Sequence, residues 1–448
     1  MLSSLVGLGR NTVTGMLCAS GRQFSDWSAD YRFFSKDRWD AAKAWSAIRR
    51  RSVEELSPHA PVVCMVDDTL LRKTGSRIPG AAWRRDPLGP KFQANLAWAQ
   101  RFLQISVALP SADSPSGARA IPVDFVHAPT PPKPGRNAGE EERRAYRAAQ
   151  RKQRLGQIAV ERLHALRSDL DLDGDGSRQL WCAGDGGYTN ETVLKQLPER
   201  TVFIGRIRGD ARLHALPDEQ PACGRKRVYG HRVPTPAELL GDHSVPYQTV
   251  KAQVGGLVHD FKIKTIGPVR WRTSGQQRDL RLVVVAPLSY RLRKGARLLY
   301  RKPAFLISTD PNLSAEQILQ TYVWRFGVEV NFRDEKQIIG VGQAQVRDDL
   351  SVERIPAFLV AAYSMLLLAA RRAYASGGFI QTLPPPKWMA RRDPSPTTTS
   401  ALQQKLREEL WGKALGIHFS GFANHTHPHS KPQKSLPHLA SCVLYMKN

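Results

Sequence analysis

The sequence predicts an α/β fold: a mixed sheet flanked by helices, interrupted by an all-β insertion and preceded by a small helical region. Three observations carry this. From residue 59 to 207, apolar runs and helical patterns follow in the order strand, strand, strand, helix, strand, helix, strand. From 208 to 300 the pattern turns to short alternating runs split by Gly and Pro. From 301 to 383 one strand leads into two long helical segments. Residues 1–58 form the helical N-terminal region, and 384–448 a tail around one short helix.

The elements follow in order. Residues 1–58 are polar and helical, and "FSDWSADYRFFSKDRWD" alternates aromatics with charges. It reads either as a DNA-contacting or dimer-forming module or as a helical cap on the next domain. "PVVCMVDD" is a buried strand that ends in two acids; "FLQISVAL" and "IPVDFV" are the next two strands. The Pro-rich "HAPTPPKPGRN" marks a loop before a long Glu- and Arg-rich helix, with Gly156 as the candidate break. "DLDGDGSRQ" is a turn; Leu180 stands where a calcium loop starting at Asp169 needs its twelfth-position Glu. "LWCAGDGGYTN" gives a strand, an acid at its end, two glycines and a helix start. "TVFIGRI" is one more strand. After the β block and "KPAFLIST", a helix begins at Ser314, where Gln317 completes a capping box. "AFLVAAYSMLLLAA" (Ala357–Ala370) is short for a bilayer span and reads as a buried core helix, so no membrane is expected.

Composition narrows the partners. Lys plus Arg is 66 against 40 Asp plus Glu, a net +26. Residues 201–302 hold 20 Lys/Arg against 7 Asp/Glu, a net +13, so half the excess sits in one subregion. Such a surface suits a polyanion, with nucleic acid ahead of a membrane surface. The five cysteines are widely spaced with no CxxC pair, which points to reduced thiols in a cytoplasmic protein. No basic segment followed by a long apolar run opens the chain.

The helix around "YVWRFGVEVNFRDEK" carries the sharpest pattern. At about 100° per residue, Tyr322, Arg325, Glu329 and Lys336 fall within about 60° of one another. Leu319, Val323, Phe326 and Val330 form the adjoining apolar stripe. Asp334 and Glu335 point elsewhere. Arg325 and Glu329, at i, i+4, also make an ordinary helix ion pair. Two further acids stand at strand ends, Asp67 and Asp185. Each is also a natural turn residue. Acids from two strands and one helix suit phosphodiester chemistry, because magnesium prefers carboxylate oxygens and two such ions can clamp a scissile phosphate.

Together these motifs resemble the DDE transposases of bacterial insertion sequences, whose catalytic domain is RNase H-like. One group carries the signature Tyr, two residues, Arg, three residues, Glu, six residues, Lys. It stands here as Tyr322, Arg325, Glu329 and Lys336, after "VDDT" and "GDGGYTN". The likeness spans about residues 5–375. It implies that Asp67, Asp185 and Glu329 are catalytic metal ligands for two Mg2+ ions, for which Mn2+ can substitute. Asp67 is preferred to Asp68 because the family pattern reads Asp, any residue, Thr, and Thr69 fits. The likeness implies DNA contacts by Tyr322, Arg325 and Lys336. Trp271, in the β insertion, is a candidate to hold a flipped base. The implied partners are terminal inverted repeats, target DNA and a second copy of the chain in a homodimer. The rival readings are another nuclease of the same fold and a non-catalytic DNA-binding protein or repressor.

Overall fold

The structure is a computed structural model. It describes residues 1–374 and 398–412, except Asp37, Pro87, Leu88, Lys91, Ala94, Ala112, Asp113, Pro115, Glu219, Pro221, Ala222 and Lys294. The rest of the expected tail, with "HTHPH" and Cys442, lies outside the described residues. The elements run α1 (Leu2–Val6), α2 (Val13–Ala19), α3 (Ser28–Ser35), α4 (Ala41–Glu54), β1 (Val62–Arg72), β2 (Ala82–Arg85), β3 (Leu96–Pro110) and β4 (Ala118–His127). Then come α5 (Glu140–Lys152), α6 (Leu155–Leu172), β5 (Leu180–Gly184), α7 (Glu191–Lys195), β6 (Thr201–Arg206), β7 (His214–Ala215), α8 (Pro236–Gly241), β8 (Gln248–Val254), β9 (Leu257–Arg270) and β10 (Leu280–Val285). The last are β11 (Ser289–Tyr290), β12 (Leu299–Tyr300), β13 (Ala304–Ser308), α9 (Ala315–Trp324), α10 (Phe326–Gln337), α11 (Ser351–Tyr374) and α12 (Thr399–Arg407).

The chain forms two compact units. Ser52–Leu70 and Gly80–Asn331 make a sheet unit; Met1–Arg51, Leu71–Pro79 and the described residues from Phe332 on make a helical unit. In the sheet unit, eleven strands form one mixed sheet in the order β2-β3-β1-β5-β6-β13-β10-β9-β7, with β4 also on β3 and β8 on β9. β1, β5 and β6 are parallel neighbours. The pairs β3–β4, β6–β13, β13–β10 and β10–β9 are antiparallel. This is an RNase H-like sheet, in which the run β4-β3-β1-β5-β6 forms the core. Neighbouring residues of β3 and its partner show what covers it. Ser106 accepts from Asn331 of α10 at 3.2 Å, whereas Asp124, opposite Ile105, pairs with Arg162 of α6. Adjacent strand residues face opposite ways, so α10 and α6 cover opposite faces.

Several expectations need correction. β1 does not end at its acids; it runs on to Arg72, because Leu71 is buried and extends the strand. β2 was not legible in the sequence: "AWRR" is four residues with no apolar run, made a strand by pairing with the start of β3 and tied further by Arg84, which donates to Thr130 at 3.0 Å. The long helix breaks at Gln153–Arg154, and Gly156 lies inside α6. The break falls where burial changes, since α5 buries nothing and α6 buries Ala159, Val160, Leu163, Leu166 and Leu170. The 208–300 block is not purely β. Its "TPAE" sequence starts α8, with Pro236 in the first turn and a reciprocal Thr235–Glu238 capping box. Its strands β9 and β10 extend the main sheet, because β10 is apolar on both faces and so belongs in a sheet interior.

The helix at "YVWRFGVEVNFRDEK" is two helices. Ser314 and Gln317 cap α9 reciprocally, as expected. At Arg325 the bonding tightens: its N–H reaches Tyr322 O at 3.2 Å, and Val328 N–H reaches Arg325 O at 3.1 Å. These are three-residue bonds of the 3₁₀ type. The joint resets the buried side, so the expected apolar stripe fails. Of that stripe Leu319 is buried, Val323 and Val330 are half-buried and Phe326 is 61% exposed, whereas Ile318, Thr321, Val328 and Asn331, outside it, are buried.

The helical unit has α11 as its core, with Ile355, Leu359, Val360, Tyr363 and Leu367 buried. By length and composition α11 could cross a membrane, but 78% of its apolar window is buried within the protein. Phe33, Phe34 and Trp39 pack their rings on Phe358, with centroids 5.9, 5.3 and 5.6 Å away. Those aromatics of the N-terminal region are packing groups, whereas Phe24 and Trp27 are exposed. Asp334 and Glu335 are buried in this unit, and Asp334 accepts from the Thr399 hydroxyl at 2.6 Å.

Gly205, on β6, faces a tight contact. A Cβ there would lie 2.1 Å from Thr189 Oγ1 and 2.7 Å from the Phe203 ring. The Thr189 hydroxyl is held by Asp185 O at 2.8 Å, so it is not free to yield. Gly205→Ala is therefore expected to cost about 1–3 kcal/mol of stability in urea unfolding; an unchanged midpoint would show that the Thr189 turn is soft.

Candidate active site

The parallel pairing of β1 and β5 sets the register Val66↔Gly184. The next residues on these neighbours are Asp67 and Asp185. Asp67 lies within β1, and Asp185 begins the turn after β5. That turn is wound around its own acid. The Asp185 carbonyl accepts from the N–H groups of Tyr188 and Thr189 at 3.2 and 3.1 Å, and its carboxylate accepts from Gly187 N–H at 2.7 Å. A Cβ on Gly187 would stand 3.0 Å from the same carboxylate oxygen, so glycine suits this close approach.

Arg325 joins the sheet acid to the helix acid. Its Nη1 donates to Asp67 at 2.9 Å and its Nη2 to Glu329 at 2.6 Å. The guanidinium and Asp67 are 15% and 17% exposed, whereas Glu329 is 43% exposed. The Tyr322 ring lies 5.7 Å from the guanidinium carbon. Burial pushes the Asp67 carboxyl up to about 7; Arg325 and the Asp68 N–H oppose this, and Asp185 and Asp68 add to it. Burial also raises the Tyr322 phenol, against the pull of Arg325 and Arg206. Burial works to lower the Arg325 guanidinium, but Tyr322, Asp67 and Glu329 outweigh it and raise it.

Asp68 has different company. Its carboxylate accepts from the buried Tyr188 hydroxyl at 3.0 Å and lies within electrostatic range of Arg101 and Arg84. Burial raises the Asp68 carboxyl, while Tyr188 and the two arginines lower it. Alternation along β1 sends the two acids to opposite faces, so Asp67 is the one on the side of α10. Tyr188, Arg84, Arg101 and Arg206 were missed in the sequence. Tyr188 stood in the quoted "GDGGYTN"; the arginines had no spacing signal.

Asp67, Asp185, Tyr322, Arg325 and Glu329 thus come together within the sheet unit. Lys336 lies past Phe332, in the helical unit, with its ammonium 5.9 Å from the Phe332 ring. Trp271 follows β9 in a turn whose N–H groups at Ser274, Gly275 and Gln276 bond its carbonyl.

The donor chemistry fits a hard divalent cation, because all three groups offer carboxylate oxygens. Asp67 and Asp185 are adjacent and repel, and a cation would relieve this. As the side chains stand, however, no group of three His, Cys, Asp or Glu residues among the described residues is arranged to hold an ion. Between Asp67 and Glu329 the cation is the guanidinium of Arg325.

The raised Asp67 carboxyl has a consequence for stability. Its penalty is present above its folded pKa of about 7 and is relieved as pH falls through that value. Asp67→Asn removes this titration. In metal-free thermal melts, the melting temperature of the variant relative to wild type should rise between about pH 5.5 and about pH 8.5. An equal offset at both would show that Asp67 ionises as an exposed carboxyl does.

Comparison with known proteins agrees with this architecture. A family model described as DDE superfamily endonuclease matches residues 2–278. The match includes Asp67 and Asp185 and stops before Glu329. No curated protein matches the chain. With more than half of its length matched, and with two acids side by side on an RNase H-like sheet, the chain belongs to the DDE superfamily endonucleases.

Proposed function

We propose that the protein is a transposase: it binds the terminal inverted repeats of its own DNA element, cuts a strand there and joins the end to target DNA. The observation that supports this is that Asp67 and Asp185 stand on neighbouring parallel strands while Arg325 bonds both Asp67 and Glu329. In the first step, water adds to phosphorus and the P–O3′ bond breaks, leaving a 3′ hydroxyl and a 5′ phosphate. In the second, that hydroxyl attacks a target phosphate and expels another 3′ oxygen. Asp67, Asp185 and Glu329 would hold two Mg2+ ions, or Mn2+ in their place. When bound, these ions activate the attacking oxygen and neutralise the charge that builds on the leaving one.

The chain's own groups prepare this. The Gly187 N–H fixes the Asp185 carboxylate, and the Asp68 N–H donates to Asp67 at 2.9 Å. Tyr322 and Arg325 line the same cluster, and Arg325 exchanges its carboxylates for a DNA phosphate when the strand arrives. Lys336 is a second phosphate contact. Pairing of two element ends would need a homodimer, and the work would be done on the DNA in the cytoplasm.

Asp67→Ala, Asp185→Ala and Glu329→Ala should each abolish strand cleavage with magnesium while leaving binding to element ends intact. Cleavage at the wild-type rate by any of them would sink the assignment. Lys336→Ala should weaken end binding and reduce the slope of log affinity against log salt by about 0.9. An unchanged slope would remove it from the phosphate contacts.

A further inference from the structure

The outer edge of the sheet carries a feature that the acid cluster does not use. Trp83 of β2 and Trp98 of β3 are cross-strand partners, with ring centroids 5.7 Å apart and planes at 61°. Trp83 is 67% exposed. β2 is the terminal strand of the sheet, four residues long, and among the described residues no strand lies beyond it. Trp98 is half-buried beneath Trp83, so the pair offers one exposed ring on a packed base at the sheet edge. In an edge-to-face pair, the ring whose edge does the packing keeps its faces for something else.

Alternation shows which face the pair occupies. Trp83 and Arg85 point one way from β2, and Arg84 the other. On β3, Trp98 shares its side with Ser106, and Ser106 bonds Asn331 of α10, the helix that carries Glu329. Gln104 donates to Ser106 across the same side, which confirms the alternation there. On the other side, Arg84 and Arg101 lie within electrostatic range of Asp68. Asp67, next to Asp68, therefore faces the same way as the tryptophans. From the acids outward, one face carries Asp185 and Asp67, then Trp98, then Trp83 with the exposed Arg85.

We propose that Trp83 and Trp98 form a stacking seat for an unpaired nucleobase of the bound DNA, on the face that carries Asp67, with Arg85 on the adjoining phosphate. This rests on the protein being a DNA-cutting enzyme. Three observations favour a nucleobase over a protein partner: the net charge of +26, the exposed Arg85 on the same side of β2 as Trp83, and the shared face with the acids. Stacking takes any base, because every base has a π-face, so the seat is tolerant of sequence. DNA strands opened at a cut expose such bases.

The test compares a duplex bearing a short single-stranded extension with a blunt duplex of equal length, in EDTA so that cleavage plays no part. A 2-aminopurine in the extension reports stacking. It is needed because the chain holds 10 tryptophans, which blur its intrinsic fluorescence. Trp83→Ala should lower affinity for the extended DNA by roughly tenfold, restore 2-aminopurine emission and leave blunt-duplex binding within about twofold. Trp83→Phe should recover most of the loss, which separates stacking from folding. The proposal is overturned if Trp83→Ala binds the extended DNA like wild type, or loses both DNAs equally. It is also overturned if the variant changes only the oligomeric state, which would make the pair a protein contact. Wild-type protein that binds neither DNA would instead refute the reading of the whole protein.

Discussion

One guanidinium joins a strand to a helix that lies 258 residues further along the chain. Arg325 donates to Asp67 with one nitrogen and to Glu329 with another, which only a planar fork with several donors can do. The geometry around it follows. The bonding between α9 and α10 tightens at Arg325, and the side chain leaves the helix at that joint. Glu329 is four residues on, within reach of the same fork. Without this link, Asp67 would be a buried carboxylate beside two others with no counter-charge in contact, and such a group is expensive to keep ionised.

The electrostatics are then nested. The chain as a whole is strongly basic, yet the point where β1 meets β5 is acidic, with Asp67, Asp68 and Asp185 in mutual range. A basic surface draws a polyanion in; an acidic kernel repels its phosphates unless cations stand between. Arg325 supplies that charge on one face of β1, and Arg84 and Arg101 supply it on the other. The two adjacent aspartates are thus separated in role by the period of the strand. Asp67 faces the helix acid, while Asp68 is held by the Tyr188 hydroxyl and supports the turn that presents Asp185.

What could be read from the sequence was whatever repeats locally. The strand at "VVCMV", the strand at "LWCAG" and the Ser314–Gln317 cap all declare themselves within a few residues. The Arg325–Glu329 pair was legible from its spacing, and Asp67 and Asp185 from their places after apolar runs. The bond from Arg325 to Asp67 was not, because no local pattern encodes a contact across 258 residues. The stripe through Phe326 failed for a related reason: a uniform 100° step cannot anticipate a 3₁₀ joint, and everything after Arg325 is turned. β2 was silent because its pairing, not its composition, makes it a strand. The Trp83–Trp98 pair was hidden with it.

The third acid depends on how closely α10 can approach the sheet. The family match ends at residue 278, so nothing in it covers Glu329. What places Glu329 is steric. Gly327, in the first turn of α10, lies so near β4 that a Cβ would stand 2.8 Å from the Cβ of Ala120. A glycine facing an alanine lets the helix backbone come down onto the strand, and the next buried residue, Val328, completes the contact. Glu329 follows directly, beside that contact and half exposed, where it meets Arg325. Any side chain at 327 would lift the start of the helix from β4. That movement would carry Glu329 away from the guanidinium that joins it to Asp67. The small residue pair at Gly327 and Ala120 is therefore as much a part of the site as the acids it brings within reach.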